Sequence, residues 1–97
     1  MNLRNSARGQ DCLIRVPGYC LFMPETVVLC HYRIAGISGI GMKSPDLLGA
    51  FGCSACHAVV DGQQQSHFTR EELRLMLAEG VFRTQLVWLD SGILVIR

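Results

Sequence analysis

The stretch GCSACHAVVDG, residues 52 to 62, decides how this chain is read. Cys53 and Cys56 form a C-x2-C knuckle, which on a tight turn presents two thiolates at the spacing tetrahedral zinc requires. A distant second pair of thiols closes such a shell. Cys12 and Cys20 are that pair. Seven residues separate them, wider than a usual knuckle, and the Pro17-Gly18 breaker supplies the reversal that lets the two sulfurs approach. Zn2+ in a structural role is therefore expected on Cys12, Cys20, Cys53 and Cys56, the alternative being a buried core of reduced thiols without metal. His57 is left over. It stands at the first turn of a helix expected over Ser54 to Val60, placed for chemistry that a structural metal does not need.

Length and composition fit a metal staple. The 97 residues are expected to form one domain, 1–97, and so short a chain buries a small share of its surface. Apolar residues make up 49% of the chain, which argues against disorder. No apolar run approaches the roughly 20 residues of a bilayer-spanning helix, so no membrane partner is expected. The N-terminal MNLRNSARGQDC has no apolar core and is not a secretory signal. The expected location is the cytoplasm, where thiols stay reduced. Five cysteines, an odd number, fit metal ligation plus a spare, Cys30, better than a disulfide framework.

Formal charge is +1 overall but unevenly spread along the chain. Up to Lys43, Arg4, Arg8, Arg15, Arg33 and Lys43 outweigh Asp11 and Glu25 to give +3, and from Ser44 onward acids outweigh bases to give −2. An arginine-bearing front half suits a phosphate backbone, because guanidinium pairs phosphate oxygens and releases counterions; the alternative is an ordinary solvated surface. Arg33, Lys43 and Arg83 are the candidate phosphate contacts.

Along the chain, Asn2 is expected to cap a short turn through Leu3 to Ala7. ETVVLCHYR, 25 to 33, reads as a strand rich in β-branched and aromatic residues and bears His31. Residues 34 to 45, with three glycines and Pro45, form a long loop. Leu47 to Gly52 reads as a second short strand. Thr69 and Glu72 form a capping box that opens a helix, bent or broken near Gly80. Leu73, Met76, Leu77, Phe82, Leu86 and Leu89 approximate its apolar stripe, Trp88 and Phe82 being core residues. A last strand is expected over Ile93 to Ile96. His67, just before the cap, reads as a loop residue.

With a helix starting near Cys56, His57 and Asp61 are four apart, on one face and one turn distant, so together they could hold one divalent cation. Asp61 reads equally as a helix-end residue before Gly62. The hairpin places His31 on a strand that packs beside this helix. A histidine near a cation-bound phosphate suits deprotonation of water for attack on phosphorus, since imidazole titrates near neutrality. The alternative for His31 is a satisfied strand histidine.

This arrangement resembles the zinc-stapled branch of the HNH, or ββα-metal, endonucleases, built on a treble-clef zinc fold. More closely, LR (3–4), ARG (7–9), Cys12, PG (17–18), Cys20, PET (24–26), HYR (31–33), PDL (45–47), CSACH (53–57), Asp61, EG (79–80) and RTQ (83–85) resemble the small prophage-encoded YbcO-type nuclease family over nearly the whole chain. The resemblance implies a small zinc-stapled α+β domain with a C-terminal helix. It implies four zinc cysteines, His31 as general base, and His57 as a ligand of a catalytic cation, Mg2+ or another divalent metal, with Asp61 where many HNH enzymes have a second histidine. The middle position, commonly Asn, is best matched by Asp46, which could orient His31, bind the metal or cap the turn after Pro45. Cys30 stands where such enzymes often have another ligand; on this strand it also reads as an apolar filler. The implied substrate is phage or host DNA inside a bacterium. The competing reading is a catalytically inactive zinc module that binds nucleic acid or a phage replication or recombination protein. A C-x2-C redox protein is disfavoured because no thioredoxin-like pattern surrounds the knuckle. The oligomeric state is not legible.

Overall fold

A computed structural model of the chain describes residues 3–34 and 44–97. The proposed cap Asn2, Lys43 and most of the glycine-rich loop lie outside the described residues. The rest is a small α+β arrangement: strand β1 (Val28–His31), strand β2 (Gly49–Gly52), a short helix α1 (Ser54–Val60) and a long helix α2 (Arg70–Ser91), with 3-10 turns at Asn5–Ala7, Pro24–Thr26 and Asp46–Leu48. The two strands pair antiparallel, Val28 opposite Gly52 and His31 opposite Gly49. Both are shorter than the sequence suggests. Pro24 opens a 3-10 turn that consumes the front of the first strand, and Asp46–Leu48 winds into another before β2 can begin.

β2 has the sequence GAFG, which has little strand propensity of its own, yet all four residues are buried. Its form follows from what crowds it. A Cβ on Gly49 would collide with the Leu29 side chain, and one on Gly52 with Ile14 and the Cys30 sulfur. The outer edge of β2 is also taken. The Leu13 N–H donates to the Phe51 carbonyl (2.7 Å), and the Phe51 N–H donates to the buried Thr84 hydroxyl (3.0 Å), which itself donates to the Gly80 carbonyl (2.8 Å). An unpaired buried amide would cost about 1–3 kcal/mol, so this hydroxyl fixes the register of helix against sheet.

Helix α2 opens as expected: Thr69 Oγ1 accepts from the Glu72 N–H (3.1 Å) and the Glu72 carboxylate accepts from the Thr69 N–H (2.8 Å). It does not break at Gly80. It runs unbroken to a left-handed Gly92 (φ 81°), and Gly80 is where it touches the sheet, a Cβ there meeting Ala50 and Ile14 at 3.2–3.3 Å. The buried face is Leu77, Gly80, Val81, Thr84 and Trp88, whereas Phe82 and Leu86 are 62% and 65% exposed. The expected apolar stripe holds through Leu77, with Leu73 and Met76 packed against the core, and fails beyond Gly80, where small and hydroxyl residues make the contact. Trp88 is fully buried, edge-on to Phe51 at 5.8 Å, and its indole N–H donates to Ser6 Oγ (2.7 Å). No strand forms over Ile93 to Ile96. The Leu94 N–H turns back to the Trp88 carbonyl (3.1 Å), the nearby sheet edge is occupied, and Val95 and Ile96 stay exposed.

Gly80→Ala sets helix propensity, which gains about 1 kcal/mol, against overpacking on backbone and Ala50 that cannot swing aside, which costs about 1–3 kcal/mol. A lower urea midpoint is expected for it. Trp88→Ala should cost about 3–5 kcal/mol in the same measurement.

Candidate functional site

Among the described residues, the sulfurs of Cys12, Cys20, Cys53 and Cys56 are the one set of three or more His, Cys, Asp or Glu donors gathered together, all within 4.8 Å of one another. Cys12 precedes the reversal; the Tyr19 and Cys20 N–H groups both donate to the Val16 carbonyl (3.1 and 3.0 Å), and Gly18 takes φ 82°. This tight loop offsets the wide spacing of the pair. Cys53 is the N-cap of α1 and Cys56 lies on its first turn. The Val16 N–H donates to Cys56 Sγ (3.4 Å), and Cys20 Sγ stands 3.9 Å from Cys53 Sγ. All five cysteines are free.

The donor set fits a zinc ion. Without a cation so many thiols cannot ionise together: a hydrogen bond from Cys56 pulls the Cys12 thiol down, the same contact pushes Cys56 up, and burial raises Cys20. A divalent ion relieves that conflict by holding four thiolates at once. Cys30 is separate. It is buried in the core, its sulfur close to the α-carbon of Gly52, and burial pushes its thiol up to about 12.

His31 ends β1. Because side chains alternate along a strand, it points away from the face that buries Cys30. Its Nε2 lies 2.7 Å from Asp46 Oδ1, and the histidine side chain is 15% exposed. The pairing of His31 with Gly49 explains the contact: the Tyr32 N–H donates to the Leu48 carbonyl (2.9 Å), extending the ladder and drawing the Asp46–Leu48 turn alongside. Asp46 thus meets the His31 ring, one of the three roles the sequence offers it. On α1, His57 Nε2 and Asp61 Oδ2 stand 3.2 Å apart, both nearly half exposed. Asp61 is also the C-cap of the helix, followed by Gly62 at φ 81°.

His31, His57 and Asp61 line one cleft of about 560 Å3, whose lining also includes Arg4, Asn5 and Arg8 from the N-terminal turn. His31 and Asp61 also line a second cleft of about 750 Å3, bounded by Gln64, Gln65, Arg70 and Arg74. Arg33 belongs to both linings. Arg70 and Arg74 escape a reading of local motifs, because helix α2 comes to this cleft only by folding. Arg83 does not join them: its guanidinium donates to the Leu13 carbonyl (2.8 Å), tying α2 to the 12–20 loop. His67 stacks on Phe68 (4.1 Å between ring centres) and lies near Tyr19 (6.2 Å), a packing role in the loop before α2.

Purified protein should hold one equivalent of zinc per chain, measured by mass spectrometry of metals. Metal binding must expel protons from the raised thiols, so zinc affinity is expected to fall as pH is lowered. Cys53→Ser should lose the metal and unfold; retention of full thermal stability after complete chelation would contradict a structural ion.

A family model described as "Putative nuclease YbcO" matches residues 1–93. A protein of Escherichia coli (strain K12), "Putative nuclease YbcO", is 44% identical over 94 residues, 96% of each chain. A protein of Enterobacteria phage 82 with the same description matches to the same extent. A solved structure, "Structure of a putative bacteriophage protein from Escherichia coli str. K-12 substr. MG1655", superposes with a TM-score of 0.79 at 36% identity, covering 94% of this chain and 100% of that one. A family model spanning nearly the whole sequence, together with relatives of matching length, places it: the chain belongs to the YbcO nuclease family.

Proposed function

We propose that this protein is a metal-dependent DNA endonuclease of the HNH-like, treble-clef type, acting on phage or host DNA in the bacterial cytoplasm. The observation that supports this most is that two histidines from different elements, each with its own carboxylate, line a single cleft. The β1–β2–α1 order, with a C-x2-C knuckle at the start of the helix, agrees with it.

In this reading His31 is the general base. An ionised Asp46 only accepts, so Nε2 carries the ring proton and Nδ1 of the neutral ring keeps its lone pair. Nδ1 takes a proton from water as the water oxygen bonds to phosphorus. The P–O bond to the departing sugar oxygen breaks, and that oxygen picks up a proton from solvent. Asp46 stabilises the imidazolium formed in the first step. His57 and Asp61 offer one nitrogen and one oxygen to Mg2+ or another divalent cation, leaving its remaining positions to phosphate and water. When bound, that ion would neutralise charge on the phosphorane and the leaving oxygen. The four-sulfur shell has no open position and is assigned a structural role only.

Incubation of supercoiled plasmid with the zinc-loaded protein and added Mg2+ or Mn2+ should give nicked circles. Loss of a general base typically costs about 10²–10⁴ in rate, so His31→Ala should be reduced by that factor with its melting temperature unchanged. Asp46→Asn should show a smaller drop. Nicking undiminished in His31→Ala would reject the assignment.

A further inference from the structure

The two clefts described above meet. His31, Arg33 and Asp61 belong to both linings, so the proposed reacting centre borders both clefts. Charge gathers along the same line. Arg4, Arg8, Arg33, Arg70 and Arg74, five of the eight arginines of the chain, line one cleft or the other, and among the described residues Asp61 is the one acid in either lining. The chain as a whole has eight acids and a formal charge of +1. A surface that holds most of the guanidinium groups thus carries few of the carboxylates.

The two sides differ in chemistry. The N-terminal side presents Arg4, Asn5 and Arg8, a wall suited to phosphate oxygens. The lining on the α2 side includes the apolar Val59, Val60, Phe68 and Leu73 together with Gln64 and Gln65. There the Arg74 guanidinium lies 4.7 Å over the Tyr32 ring and donates to the Tyr32 hydroxyl (2.8 Å), so a cation and an aromatic ring are held together in the groove. Rings and guanidinium planes of this kind stack on bases exposed from a strand.

Resting on the nuclease reading, we infer that the two clefts form one continuous groove that binds a DNA strand on both sides of the phosphate at His31. Arg4 and Arg8 hold the backbone on one side, and Arg70 with the Arg74–Tyr32 pair holds it on the other. Such a groove needs nucleotides flanking the cut in both directions. Internal cleavage follows from that requirement, and trimming from an end does not.

The test measures binding apart from cutting. In the zinc-loaded His31→Ala background, titrate a fluorescein-labelled 20-nucleotide single strand and its duplex over a series of salt concentrations. Removing one arginine–phosphate pair flattens the log–log salt slope by about 0.7–0.9. Arg4→Ala/Arg8→Ala and Arg70→Ala/Arg74→Ala should each flatten it by about 1.5 and weaken binding at least tenfold by the same counterion accounting. Arg97→Ala, outside both linings, should leave it unchanged. Arg74 packs on Tyr32, so Arg70→Glu alone, with melting temperature monitored, provides a variant that leaves this packing intact. Weakening confined to one arginine pair overturns the continuous groove while leaving the nuclease reading intact. Dependence on both pairs in a protein that cuts no DNA in any divalent metal keeps the groove and removes the catalysis.

Discussion

Four sulfurs within 4.8 Å of one another join residues 12–20 to the start of α1, and most of the architecture follows from that closure. The 12–20 loop sends Leu13 to the edge of β2 and Ile14 under Gly52 and Gly80. It also receives Arg83 from α2. A chain of this size has too small a core to fix so many loop residues by burial alone, and an ion held by these four sulfurs would supply a constraint that does not depend on apolar area. Once the knuckle is fixed, α1 has one direction to run, and His57 and Asp61 are carried with it.

The sheet is held by contacts that ordinary strand preference does not describe. β2 is small at Gly49, Ala50 and Gly52 because helix, strand and loop all approach it closely, and the outer backbone groups of Phe51 are satisfied by a threonine hydroxyl from α2 and an amide from the 12–20 loop. That arrangement also positions the site. The register that sets His31 against Gly49 draws Asp46 to the imidazole, so packing under the sheet and orientation of the histidine above it depend on one pairing. Cys30, next to His31 in sequence, goes to the core for the same reason: neighbours in a strand face opposite ways. Cys30 is therefore the apolar filler on this strand, a buried thiol with a packing role.

Charge shows the difference between chain and fold most directly. Counted along the sequence, the front is basic and the back acidic, which points to the N-terminal half as the nucleic-acid surface. In the folded protein Arg70 and Arg74, from the acidic half, lie on the same clefts as Arg33, while the acids of α2 are absent from those linings. One basic residue expected at phosphate, Arg83, is turned inward to a carbonyl.

The order of residues alone specifies the metal-ligand set, the short helix after the knuckle, the capping box and the family. Each rests on residue types at short, fixed spacing, and short-range geometry is set locally by backbone stereochemistry. It also singles out His31, His57 and Asp61 as a group, through helical spacing and the hairpin that leads into the knuckle. Folding was needed to settle that Gly80 is a contact point and not a break, which face of α2 is buried, that the last residues form no strand, that Asp46 meets His31, and that arginines distant in sequence line two clefts sharing His31, Arg33 and Asp61. These outcomes depend on which surfaces meet across long stretches of chain, and a close helix–sheet approach through glycine and threonine leaves no hydrophobic period in the sequence to announce it.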